Sequence, residues 1–121
     1  MEIARPQRPV LLWDGECRFC ASWIRRWRAV TGDAVDYATY QEAAERFPQV
    51  DPAECARAVQ LVLPDGSVLS AAHAVLRALA EGGRWRTLLR LYERFPPFRW
   101  CAEGAYRFVA ANRSWLPRFL L

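Results

Sequence analysis

Residues 10–20 read VLLWDGECRFC, an apolar run that breaks at Asp14-Gly15 and then reaches two cysteines three positions apart. Val10 to Trp13, bounded by Pro9 and the Asp-Gly pair, predicts a buried strand followed by a turn. From Arg18 the period changes. Cys20, Trp23, Ile24, Trp27 and Val30 recur at helical spacing while Arg18, Ser22, Arg25 and Arg28 fall elsewhere, which predicts an amphipathic helix to about Thr31-Gly32. Both cysteines therefore stand where a strand gives way to a helix.

Outward from this stretch, the alternation of Val35 and Tyr37 against Asp36 and Ala38 predicts a second strand, and QEAAERF a short helix stopped by Pro48. Asp51 and Pro52 have the form of a cap and first position for a further helical turn reaching Cys55. AVQLVL and SVLS around Pro64-Asp65-Gly66 predict a hairpin, because proline presets the first turn angle and glycine tolerates a positive one. Ser70 is the expected cap of the next helix, with Ala72, Val75, Leu76 and Leu79 on its apolar face and Gly82-Gly83 at its end. Beyond it, Trp85, Leu88, Leu89 and Tyr92 mark one helix, Pro96-Pro97 breaks it, and Phe98, Cys101, Ala105, Phe108, Asn112 and Trp115 line the next. The expected fold is α/β and thioredoxin-like: a central mixed sheet of about four strands flanked by helices, with extra C-terminal helices over about 84–121. One domain spanning 1–121 is expected from the length of 121 residues and the 53% hydrophobic content.

The chain opens MEIARPQRPV, with charge and proline where a signal peptide needs an apolar stretch, and no later segment approaches the length of a membrane span. The expectation is a cytoplasmic protein. Cellular thiols keep structural disulfides reduced there, so a conspicuous pair among four cysteines points to catalysis or metal binding. The net charge of +4 comes wholly from arginine, scattered over the chain without a basic run, which speaks for a weakly basic surface and against a nucleic-acid partner.

A cysteine at a helix N-terminus meets unpaired backbone N–H groups and the positive end of the helix dipole, both of which favour negative charge on sulfur. Cys17 is the expected nucleophile. Cys20, one helical turn on, can close a disulfide with it or resolve a mixed one. Arg18, Glu16 and Phe19 are expected to tune this site and the surface that meets substrate, Phe19 as an apolar tip beside the sulfur. Asp14 has two readings: its carboxylate shapes the turn, or it takes a proton from a thiol three residues on. Two other accounts of the pair remain open on spacing alone. Two small apolar residues on a helix would look the same, and a zinc site would draw on Cys55, Cys101 and His73, none of which forms a second short-spaced pair. Cys55 and Cys101 are expected to face inward, and His73 to be a solvated residue, with a proton carrier facing the cysteines as its alternative. The strand before the cysteines and the hairpin after them favour the redox account.

WDGECRFC resembles the D-G-x-C-x-x-C signature of the DCC family of thiol-disulfide oxidoreductases, and the similarity extends through YATYQ, LVLPDGSVLS, AVLRAL at 74–79 and YRFVAANRSWL. The resemblance implies a thioredoxin-like fold with Asp14, Cys17 and Cys20 as signature positions. It also exposes a departure. Many thioredoxin-like enzymes carry a cis-proline just before the hairpin strand to guide substrate backbone, whereas CARAVQ holds no proline, which implies a different way of presenting substrate. The expected function is exchange between a Cys17-Cys20 dithiol and a protein or low-molecular-weight disulfide, with a recycling reductant and no metal or nucleotide cofactor. The competing expectation is a non-catalytic interaction module that holds a partner through its Trp- and Arg-rich C-terminal helices. The tail RSWLPRFLL is expected to pack on the chain's own core rather than on a membrane surface.

Overall fold

A computed structural model describes residues 3–83 and 85–112. The expected strand forms as β1 (Val10–Trp13), followed by α1 (Arg18–Thr31), β2 (Asp36–Thr39), the short α2 (Tyr40–Ala43) and α3 (Pro52–Arg57). The hairpin strands β3 (Gln60–Val62) and β4 (Val68–Ser70) lead into α4 (Ala71–Glu81), α5 (Arg86–Arg94) and α6 (Pro96–Asn112). The strands make one mixed sheet in the order β2-β1-β3-β4, with β1 parallel to β2 and the other pairs antiparallel. This is the expected α/β, thioredoxin-like architecture.

Alternation along the strands sorts the core into two layers, because successive side chains of a strand point to opposite faces. Leu11 and Leu61, paired across β1 and β3, join Ile24 of α1 and Ala74 and Ala78 of α4 on one face. Val10, Leu12 and Val62 join Ala43, Phe47, Val50 and Cys55 on the other. A smaller cluster of Ala72, Leu76 and Tyr92 ties α4 to α5 and, through Phe98, Ala102 and Tyr106, to α6. Among the described residues no helix is long and apolar enough to cross a membrane.

Local signals mostly act as expected. Asp51 caps α3 by accepting a hydrogen bond from Ala53 N at 2.9 Å, with Pro52 opening the helix. Gly66 closes the hairpin turn at φ +90, where its N–H donates to Leu63 O. Gly82, where α4 ends, lies against the end of α1, and a Cβ there would stand 2.8 Å from Thr31 Cα and 2.9 Å from Val30 O. Backbone cannot yield as a side-chain tip can. Gly82→Ala is therefore expected to destabilise the protein by about 1–3 kcal/mol, read as a lower urea midpoint at unchanged slope.

Three local expectations need correcting. The QEAAERF helix breaks after Ala43 into a 3-10 turn over Ala44–Arg46. Ser70 precedes α4 but makes no side-chain cap, because its hydroxyl donates instead to Gln60 Oε1 across the hairpin. On α6 the inward face is Phe98, Ala102 and Tyr106, so Cys101 is exposed and Phe108 is 61% exposed. Apolar residues lie nearly all round this helix, and several stripes fit it equally well. Its contacts with α4 and α5 choose among them. Trp115 and the RSWLPRFLL tail lie outside the described residues.

Candidate functional site

The chain leaves the sheet at Trp13 and turns tightly, with Cys17 N donating to Asp14 O at 3.2 Å. Asp14 Oδ1 accepts from Glu16 N at 3.0 Å, the local bond that an Asp at a turn is suited to make. It also accepts from Gln41 Nε2 at 2.9 Å, while Gly15 N donates to Gln41 Oε1 at 3.1 Å. One amide thus clamps both residues of the Asp-Gly pair to the start of α2. The fit is close, since a Cβ on Gly15 would stand 2.7 Å from Thr39 Cγ2. Gln41 ends the YATYQ stretch of the family resemblance, but that stretch does not assign it this role, because the partners are 26 and 27 residues apart. Gln41→Ala removes both bonds and is expected to slow exchange at the cysteines roughly 3–30-fold while lowering stability by about 1–2 kcal/mol, checked by a disulfide-reduction assay beside urea unfolding.

Cys17 is the N-cap of α1, and its Sγ accepts a hydrogen bond from Cys20 N at 3.2 Å. That N–H is one of the orphan donors of the first helical turn, and no acidic residue stands in that turn to compete for it. Sulfur and helix dipole are therefore aligned as an anion would require. Both cysteines are outside any disulfide and partly exposed. Arg18 and Glu16 are exposed at either side of Cys17. Phe19 is partly buried, its ring 6.4 Å from that of Trp23, which in turn lies 6.2 Å from Trp27. This aromatic ladder and Cys20 form one wall of a cavity of about 410 Å³.

Residues 11–119 match the family model of the DCC1-like thiol-disulfide oxidoreductases. The chain belongs to that family. No curated protein and no solved structure matches it. Membership makes thiol-disulfide exchange the general activity of this DCC1-like oxidoreductase, and the D-G-x-C-x-x-C stretch lies inside the matched span.

The remaining candidates fall away from the cysteine pair. His73 Nε2 meets Glu93 Oε2 at 3.3 Å and its ring packs 4.7 Å from that of Tyr92, so both partners come from α5. Tyr92, whose hydroxyl donates to the Glu103 carboxylate, is pushed up by burial and then by that carboxylate. Among the described residues no three His, Cys, Asp or Glu side chains gather as a metal would need. Cys55 faces inward as expected and Cys101 does not.

Burial, followed by Asp51 and Glu54 nearby, pushes the Cys55 thiol up to about 11 from an ordinary 9.0. Native, fully reduced protein is accordingly expected to take iodoacetamide at Cys17, Cys20 and Cys101 near pH 8 and at Cys55 only after unfolding, as read by mass spectrometry. The same shift has a sign for stability. The folded chain holds the Cys55 proton between pH 9 and about 11 while the unfolded chain loses it, so stability falls as pH rises through that window. Cys55→Ala is expected to flatten that part of the profile.

Proposed function

We propose that this oxidoreductase exchanges a Cys17-Cys20 dithiol with a disulfide substrate, Cys17 attacking and Cys20 resolving. The observation that carries the reading is the bond from Cys20 N to Cys17 Sγ at the start of α1. In the first step Cys17 thiolate forms a bond to one substrate sulfur, and the other leaves as thiolate and takes a proton. Cys20, its proton passing to solvent, then attacks Cys17 sulfur and releases the second thiol. The substrate gains two electrons and two protons, and a dithiol reductant returns the bridge to its reduced state. Asp14 acts as a positioning residue, since its Oδ1 is engaged by Glu16 N and Gln41 Nε2. Arg18 supplies positive charge beside the nucleophile, Phe19 supplies apolar surface, and Glu16 flanks the entrance. The reaction needs no metal or nucleotide, and we place it in the cytoplasm.

The test is trapping. Cys20→Ser is expected to stall with substrate bound to Cys17, released by dithiothreitol, whereas Cys17→Ser traps nothing; equal trapping by the two variants would sink the assignment.

A second reading, a module that holds a protein partner without turnover, draws on the exposed Phe95, Trp100 and Phe108 at the start and along the outer side of α6. A stable complex that persists when Cys17 and Cys20 are both serine would favour it.

A further inference from the structure

Between α1, α4 and α6 lies the cavity of about 410 Å³, a size that suits a small molecule. It is walled by Phe19, Cys20, Trp23 and Trp27 on one side and by residues such as Ala105 and Val109 on the other, and among the described residues no charged side chain lines it. Cys20 thus lines the cavity, and its backbone N–H reaches Cys17 Sγ at 3.2 Å. At its floor is Val59, the residue before β3. Its backbone is engaged within the chain rather than offered to an extended peptide, because Val59 N donates to Tyr106 Oη at 2.9 Å and Val59 O accepts from Ala71 N at 3.0 Å. Both groups are taken. On the rim, Trp85 is 55% exposed and held at φ 59, a left-handed conformation that costs a bulky residue about 1–2 kcal/mol. Strain of this kind gathers where a side chain must be aimed.

We propose that this cavity receives the uncharged aromatic or aliphatic arm of a low-molecular-weight disulfide, which makes apolar disulfides the preferred substrates. The proposal rests on the Cys17-Cys20 exchange reading and names the substrate class of that same site. The apolar and aromatic side chains that line the cavity among the described residues offer no partner to a carboxylate or ammonium substituent, which would lose its hydration there. The arm seated in the cavity stays attached to Cys17 in the mixed disulfide, the other sulfur leaves as a thiol, and Cys20 attack then frees the apolar thiol. Two electrons and two protons pass to the substrate as the Cys17-Cys20 bond forms.

The experiment uses the reduced protein in single turnover, so that no recycling partner is needed. Benzyl 2-pyridyl disulfide and 2-carboxyethyl 2-pyridyl disulfide share one chromophoric leaving group, and each rate is divided by that of dithiothreitol with the same compound. The normalised rates are expected to favour the benzyl compound about 10–100-fold, the range that burying one such group supports. Ala105→Trp and Ala110→Trp, which narrow the cavity from α6, are expected to bring the ratio close to one. A ratio near one in the native chain overturns the proposal while leaving the exchange reading intact, as would follow if another segment or a second copy covered the cavity. Selectivity that persists in both folded variants overturns the placement of the arm. Release of thiopyridone from neither compound overturns the proposal together with the exchange reading. The native ratio decides whether or not the variants fold.

Discussion

Cys17→Ser is expected to lower disulfide reduction by about 10³-fold or more, because it removes the group that forms the first covalent bond rather than one that assists it. The hydroxyl that replaces the thiol would still accept from Cys20 N, so the helix start keeps its cap and the fold is expected to stay intact. Cys20→Ser behaves differently. It retains the first attack and loses the second, so a stoichiometric burst of released thiol is expected in place of turnover. Loss of stability in Cys17→Ser comparable with its loss of rate would point instead to a structural role, and circular dichroism with urea unfolding separates the two.

Leu11→Ala is the substitution expected to weaken the fold most. Leu11 is fully buried in the middle of β1, opposite Leu61 and against Ile24, Ala74 and Ala78. Its neighbours come from the central strand β3 and two helices, so none can collapse freely into the gap. A loss of about 2–5 kcal/mol follows, a large share of the roughly 5–15 kcal/mol that holds a small protein together. β1 also carries the Asp14–Cys17 turn, so exchange at the cysteines is expected to fall at temperatures where the variant is still largely folded. An unchanged urea midpoint would show that this strand does not anchor the core.

Sequence was informative where local chemistry and period agree. β1, α1 and the hairpin are written in short apolar runs bounded by Asp-Gly and Pro-Asp-Gly, and the structure places them as the periods require. The C-terminal helices were legible as helices but not in their orientation. On α6 the apolar positions do not define one stripe, and only the contacts of Phe98, Ala102 and Tyr106 with α4 and α5 decide that Cys101 points out. Long-range polar contacts were the least legible. Gln41 holding Asp14 and Gly15, and Tyr106 meeting Val59 N, join residues 26 to 47 apart, and although both lie in stretches of the family resemblance, neither stretch names its partner. Asp14 had two readings in the sequence, turn geometry and proton transfer, and its Oδ1 accepts from Glu16 N and Gln41 Nε2.

The most direct test of the account is a redox titration of the purified chain against reduced and oxidised dithiothreitol, with thiols trapped at each point and the alkylated cysteines identified by mass spectrometry. Cys17 and Cys20 are expected to disappear together as alkylation sites in one reversible two-electron transition, while Cys101 stays modified throughout and Cys55 stays silent until the chain is unfolded. Independent oxidation of the two, or alkylation of both at every potential, would contradict it.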